Sequence, residues 1–282
     1  MRNVHLKYRI GKSAGFQALT VLLACSIVIP LIAILVYIIK AGITKINWHF
    51  LTNLPKPVGE AGGGIANALL GSIIIIAVAS IIAIPFGILC GIYLSENKKS
   101  KLAYWSRLCI DILQGVPSIV IGIVAYFWLV KPLGGFSALS GSMALAIMML
   151  PIIVRSTEET LKLLPDTLRE AAFALGVPFH RVILKVIVPC GISGILSGVM
   201  LSVARVAGET APLLFTAFGN PYLSTNIFKP MQSLPLLIFN YATSPYNDWH
   251  DLAWGASCIL LIWVLLLNIF TKLITRKWKV QL

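Results

Sequence analysis

The sequence predicts an all-α protein, a polytopic bundle of six membrane-spanning helices. Three observations predict it. The 282 residues are 58% hydrophobic and only 12% charged, with a mean hydropathy of +0.89, whereas a soluble domain is about half apolar and about a quarter charged. The apolar residues fall into runs long enough to cross a bilayer as helices, for which about 18 to 25 residues suffice. Strand-like alternation is absent, and a chain in lipid must close its own backbone hydrogen bonds, so such runs are helical.

The runs are 17–39, 67–95, 109–131, 138–157, 191–217 and 252–275. Residues 1–16 form an N-terminal tail ahead of one transmembrane domain, 17–282. The first run is too long for a signal peptide and is followed by no small-residue cleavage pattern, so it reads as a retained anchor. Seventeen Lys and Arg lie in the two tails, in the loops after the second and fourth runs and at the run ends beside them, against five in the opposite loops and at their run ends. The basic side faces the cytoplasm in membrane proteins, which places both termini of this multi-pass chain inside. Trp249 and Trp254 suit an outer aromatic belt, and Trp278 an inner one.

The same distribution disposes of other classes. A net charge of +13 on a soluble chain would suggest nucleic acid; here the bases sit between apolar runs and report topology. The five cysteines share no CxxC spacing and predict neither a disulfide framework nor a zinc site. The four histidines are scattered, with no ligand spacing and no hydrolytic triad, so neither metal nor cofactor is expected. Gly11-Lys12-Ser13 lacks the first glycine of a phosphate-binding loop, since Leu6 stands there. The sequence shows no ATPase of its own.

Two stretches carry chemistry. In the fifth run, Arg205 and Glu209 interrupt the sequence SVARVAGETAPLLF. On a continuous helix of about 100° per residue, Gly191, Gly194, Gly198, Ser202, Arg205, Glu209 and Pro212 would share an arc of about 80°. Small residues at this spacing admit another helix, so the stripe should face protein and shelter the charges. Pro212 would free the Gly208 carbonyl beside them. Intramembrane ionisable residues mark pathways, although a structural ion pair would explain the spacing too. Pro117 and Ser118, in Gln114-Gly115-Val116-Pro117-Ser118, could add a freed carbonyl and a hydroxyl to a cavity.

The second stretch is the loop at about 165–189, LPDTLREAAFALGVPFHRVILKVIVP. Thr167 and Glu170 have capping-box spacing. Gly176 suits a left-handed helix end, and Pro178 the first turn of a second short helix running to Pro189. Glu170-Ala171-Ala172, Gly176 and then Val186-Ile187-Val188-Pro189 resemble the EAA loop of bacterial ABC-importer permeases, with valines at two positions of the closing I-x-L-P. EAGGGIANALLGSIIII, DILQGVPSIVIGIVAYF, ARVAGETAPLLFTAFGN and MQSLPLLIFNYA together resemble the PstA-type permeases of the phosphate importer, over about residues 60–275.

The resemblance implies a MetI-like permease fold for the transmembrane domain. It implies that Glu170, Ala171, Ala172 and Gly176 couple to an ATPase, and that Arg205 and Glu209 lie near the substrate path. The implied partners are a paralogous permease subunit, a dimeric ATP-binding subunit, an extracytoplasmic phosphate-binding protein, phosphate and the lipid bilayer, with no nucleic acid. The chain would be a transport subunit rather than an enzyme. Another oxyanion, molybdate or phosphonate, is the alternative cargo. A stand-alone secondary transporter would have no need of an EAA helix.

Overall fold

The computed structural model describes residues 2–57, 60 and 62–277. Its order is α1 (Arg2–Gly42), α2 (Trp48–Thr52), α3 (Ala66–Glu96), α4 (Lys101–Gly115), α5 (Ser118–Ala125), α6 (Lys131–Leu133), α7 (Ala138–Lys162), α8 (Asp166–Ala174), α9 (Phe179–Val182), α10 (Val188–Val206), α11 (Ala211–Thr216), α12 (Leu234–Ala242) and α13 (Asn247–Lys277). Among the described residues there is no strand, only an isolated bridge between Phe218 and Met231. Trp278 and Lys279, placed at the inner surface by the sequence, lie outside the described residues.

Among the described residues, five helices are long and apolar enough to cross a membrane, and a sixth crossing arises if Lys101–Gly115 and Ser118–Leu133 are one span bent by 106°. The expected continuous third run, 109–131, is therefore two helices. Its helix begins early, at Lys101, and breaks at Val116-Pro117. Proline disfavours the helical conformation in the residue before it, and Val116 is extended at φ −72°, ψ 130°.

The fifth run departs too. Pro178 does open a helix, but no separate short helix ends at Pro189. The chain continues through a π-helical turn, Ile183–Ile187, directly into α10. A second π turn, Tyr126–Val130, precedes Lys131-Pro132. In each case the widened turn lies just ahead of a proline whose ring would otherwise press on the carbonyl four residues back. At its far end α10 stops at Val206, and residues 207–210 form an open turn before α11. Pro212 thus stands in the first turn of a new helix, where its missing N–H costs nothing.

The core is α7 with α3 on one side and α10 on the other. Glycines make the approach possible. A Cβ at Gly87 or Gly91 of α3 would meet Ile153 or Thr157 of α7, and one at Gly194 or Gly198 of α10 would meet Thr160 or Ser156. The small stripe of the fifth run does face protein. Into the seam pack Ile75, Leu145, Met149, Ile153 and Val199. A second core joins α2, α12 and α13 around Phe50, Leu234, Leu237 and Ala256. Between α11 and α12 the chain folds over the start of α3 and α7: the Asn67 Nδ2 donates to the Asn220 carbonyl at 2.7 Å, the Leu234 N–H donates to Ser72 Oγ at 2.7 Å, and the Leu139 N–H to the Ile227 carbonyl at 2.8 Å.

Helix α1 stands apart. Its first turns carry Arg2, Lys7, Arg9 and Lys12 of the N-terminal tail; from Gly15 on it is apolar on all faces, and its described side chains are exposed along almost its whole length. Its C-terminal end meets the body, where Tyr37 packs edge-on to Trp254, and in the turn just after it Lys45 pairs with Asp251 at 2.6 Å.

Gly198→Leu should therefore disrupt the α7–α10 seam, because the added side chain collides with Ser156. Overpacking of this kind costs about 1–3 kcal/mol or more. Gly208→Ala, in the open turn with no close neighbour, should be tolerated. Thermal denaturation of the purified variants in detergent checks this: a lowered midpoint is expected for Gly198→Leu only.

Candidate functional site

The two broken spans meet. Gly122 of α5 lies against the Pro212 backbone of α11, so closely that a Cβ there would stand 2.7 Å from the Pro212 Cα. Beside this contact, Leu113, Gln114, Val116, Ile121, Met148, Pro151, Ile152 and Arg205 line a cavity of about 20 Å³, room for about one water molecule. Arg205 thus stands where the end of α10 faces the break between α4 and α5. Val116 and Pro117 form that break and Ser118 is the first residue of α5; neither Pro117 nor Ser118 is among the residues that line the cavity. The carbonyl that Pro117 would free, that of Leu113, accepts instead from the Val116 N–H at 3.4 Å.

Arg205 is not sheltered by the glycine stripe. Its side chain is 52% exposed and that of Glu209 20%, and their ion pair is long, Nε to Oε1 4.0 Å. The buried part of the arc ends at Ser202; Arg205 is still within α10 but exposed, and Glu209 lies beyond the helix end in the open turn. An exposed pair of this length is worth little to stability. A half-exposed guanidinium next to a helix break is instead free to donate its planar fork to an oxyanion.

The EAA stretch is the helix α8 and its exit. No capping box forms. The N-cap is Pro165, helix α8 begins at Asp166, and Thr167 lies inside it. Pro165 fixes its own φ, at −60°, and Asp166 places a negative charge on the helix N-terminus. The far end is as expected: Gly176 has φ +74°, its N–H donates to the Phe173 carbonyl at 2.9 Å, and the Val177 N–H donates to the Ala172 carbonyl at 3.3 Å, the paired bonds of a glycine-terminated helix. Ala172 is buried against Leu161, Leu164 and Val182. Glu170 and Ala171 are exposed, and the Glu170 carboxylate has no hydrogen bond or ion pair among the described residues.

Between these two sites lies a group of charges that sequence reasoning missed. Glu158 of α7 is fully buried. It accepts from Arg107 Nε at 2.6 Å and Lys162 Nζ at 2.5 Å, with Arg155 Nη1 at 3.5 Å. Arg155 also pairs with Asp111 of α4, and Arg107 Nη2 donates to the Leu94 carbonyl of α3 at 2.6 Å. One carboxylate thereby ties α3, α4 and α7. The spacings Arg155–Glu158 and Glu158–Lys162 are readable as helix pairs. Arg107, 51 positions earlier in the chain, carries no sequence signal of its own.

With the geometry in place, similarity to known proteins identifies the fold. The profile of binding-protein-dependent transport system inner membrane components matches residues 83–280. The chain belongs to that family. This permease is 45% identical over 250 residues to the phosphate transport system permease protein PstA of Yersinia pestis, covering 88% of this chain and 85% of the relative. It is 41% identical over 275 residues to the PstA protein of Pasteurella multocida, covering 97% and 98%. Among solved structures, inward-facing conformations of the MetNI methionine ABC transporter superpose with a TM-score of 0.64 at 17% identity, over 77% of this permease and 98% of that chain. The MetI-like fold is thus the fold of this chain, a multi-pass component of an inner membrane.

Removing the buried carboxylate should be costly. Glu158→Leu leaves Arg107 and Lys162 facing an apolar pocket, and breaking a buried pair on one side costs about 3–5 kcal/mol. The expected result is strongly reduced membrane abundance, measured by immunoblot of the isolated membrane fraction, while Glu60→Leu at the exposed end of the molecule leaves abundance unchanged.

Proposed function

We infer that this chain is a permease subunit of an ATP-driven importer that moves inorganic phosphate across the cytoplasmic membrane. The observation that carries the reading is its identity to phosphate transport permeases over most of its length. Those names favour phosphate over molybdate or phosphonate. The chain binds and passes its cargo without chemistry on it. Its partners are a paralogous permease, a dimeric ATP-binding subunit that hydrolyses ATP, and an extracytoplasmic phosphate-binding protein.

Arg205 meets the anion part way across. Its guanidinium fork matches two phosphate oxygens, and it is aimed at the break between α4 and α5 rather than locked in a tight pair. Glu209, one open turn away, holds Arg205 loosely when the path is empty and repels the dianion when it is full. Pro117 and Ser118 set the hinge of the broken span that forms the other side of the path. At the basic end, the exposed Glu170 and Ala171 offer α8 to the ATPase, and the Gly176 cap fixes the angle between α8 and the following helix. That end is cytoplasmic by its lysines and arginines, with both termini on the same side.

Three variants test the pathway role. Arg205→Ala should insert normally, because the side chain is half exposed, and should lose phosphate uptake. Arg205→Lys keeps the charge without the fork and should transport at an intermediate rate. The pair Arg205→Leu with Glu209→Leu separates a path from a packing element: normal uptake in that variant refutes the pathway role. Uptake of labelled phosphate and membrane abundance are measured together for all three.

Sidedness has its own test. Cysteines in place of Lys98 and Asn247 should react with an impermeant thiol reagent from opposite faces. Labelling of both in intact cells contradicts the orientation.

A further inference from the structure

The coupling helix α8 is held to the spans by one charged side chain. Arg169, the residue before Glu170, points inward and is only 12% exposed; Glu96, the last residue of α3, is 13% exposed. Arg169 Nη2 donates to Glu96 Oε1 at 3.0 Å and to the Leu161 carbonyl at 3.4 Å, and Nη1 donates to Asp166 Oδ1 at 3.1 Å. Glu96 ends α3, and Leu161 lies in the last turn of α7. Carbonyls at a helix C-terminus lack intrahelical partners and carry partial negative charge, so a guanidinium between two such ends is well placed. A low-exposure, multidentate arginine is a stronger attachment than a surface pair. The rest of the α8 contact is small and apolar, chiefly Ala172, Leu168 and Val177.

The two helices that Arg169 grips are the two tied together by the buried charges. Leu94, two residues before Glu96, accepts from Arg107; Glu158, one turn before Leu161, accepts from Arg107 and Lys162. A displacement of α8 therefore reaches α3 and α7 together, then α4 through Arg107 and Asp111, and finally the break at Val116-Pro117 beside Arg205. Glu96 and Arg169 also border an open cavity of about 480 Å³ with Lys98, Lys99 and Ser100, so the pair has water on one side and can part without unpacking the core.

We propose that the Arg169–Glu96 pair is the mechanical latch that passes movement of the coupling helix to the spans, which makes both of them positioning residues for transport. The inference rests on the reading of α8 as the ATPase-coupling helix. Proteoliposomes holding the complete transporter, with its ATPase, second permease and binding protein, give the test. Three quantities are read for wild type, Glu96→Gln and Arg169→Met: ATPase subunit retained on purification, ATP hydrolysed, and phosphate taken up per ATP. Both variants should retain the ATPase and hydrolyse ATP within about twofold of wild type, while uptake per ATP falls about fivefold or more. Glu60→Gln, an exposed carboxylate outside this network, should leave the ratio unchanged. A wild-type ratio in complexes of Glu96→Gln overturns the latch. So does failure of Glu96→Gln to assemble, since the pair is then a folding element. If wild type itself shows no ATP-dependent uptake, the parent reading fails, and that outcome is distinct from an unchanged ratio in the variants.

Discussion

The structure depends on how closely two helices can approach α7. Gly87 and Gly91 of α3, and Gly191, Gly194 and Gly198 of α10, remove side chains from the seam so that α7 is gripped from both sides. Helix association in lipid gains little from the hydrophobic effect, because lipid tails are as apolar as the side chains, and rests on packing and polar contacts. The seam supplies the packing. It also makes α7 the axis of the molecule, and every charged group that matters is placed by reference to it.

Once α7 is enclosed, a carboxylate at Glu158 has no access to water and must be satisfied by neighbours. Arg107, Lys162 and Arg155 do this, and two of them, Arg107 through Glu158 and Arg155 through Asp111, hold α4 against α7. Buried charge here specifies which helices stay together. The same logic runs through Arg169, which satisfies Glu96 and a terminal carbonyl of α7 at once. Polar contacts thus concentrate at the basic end, while the opposite end is joined mainly by backbone bonds of the segment between α11 and α12.

The breaks in helix geometry gather where function is expected. The third span breaks at Val116-Pro117, the fifth at 207–210, and the two broken ends meet through Gly122 and Pro212. Irregular backbone at membrane depth is tolerated only where protein or a cavity surrounds it. Arg205 lies at this junction. Fold alone would not assign a cargo, since the MetI-like architecture serves a methionine transporter as well; the cargo is carried by the likeness to phosphate permeases, and the site supplies a chemistry compatible with it.

The sequence by itself determined the class, five of the six expected crossings, the glycine face of the fifth run and the left-handed turn at Gly176. Each of these follows from local composition or from spacing within one helix, which a one-dimensional pattern preserves. It misplaced the ends of elements. A continuous helix was expected through Arg205, Glu209 and Pro212, yet the chain opens after Val206, because Gly208 and Pro212 favour a stop and a fresh start. A capping box was expected at Thr167, where Pro165 had already begun the helix. What only the tertiary structure decided is which distant charges meet. Arg107 with Glu158, and Arg169 with Glu96, are joined across 51 and 73 positions of chain. No periodicity records such pairs, because they arise from the packing of α3, α4 and α8 around α7, and packing is set by shape in three dimensions.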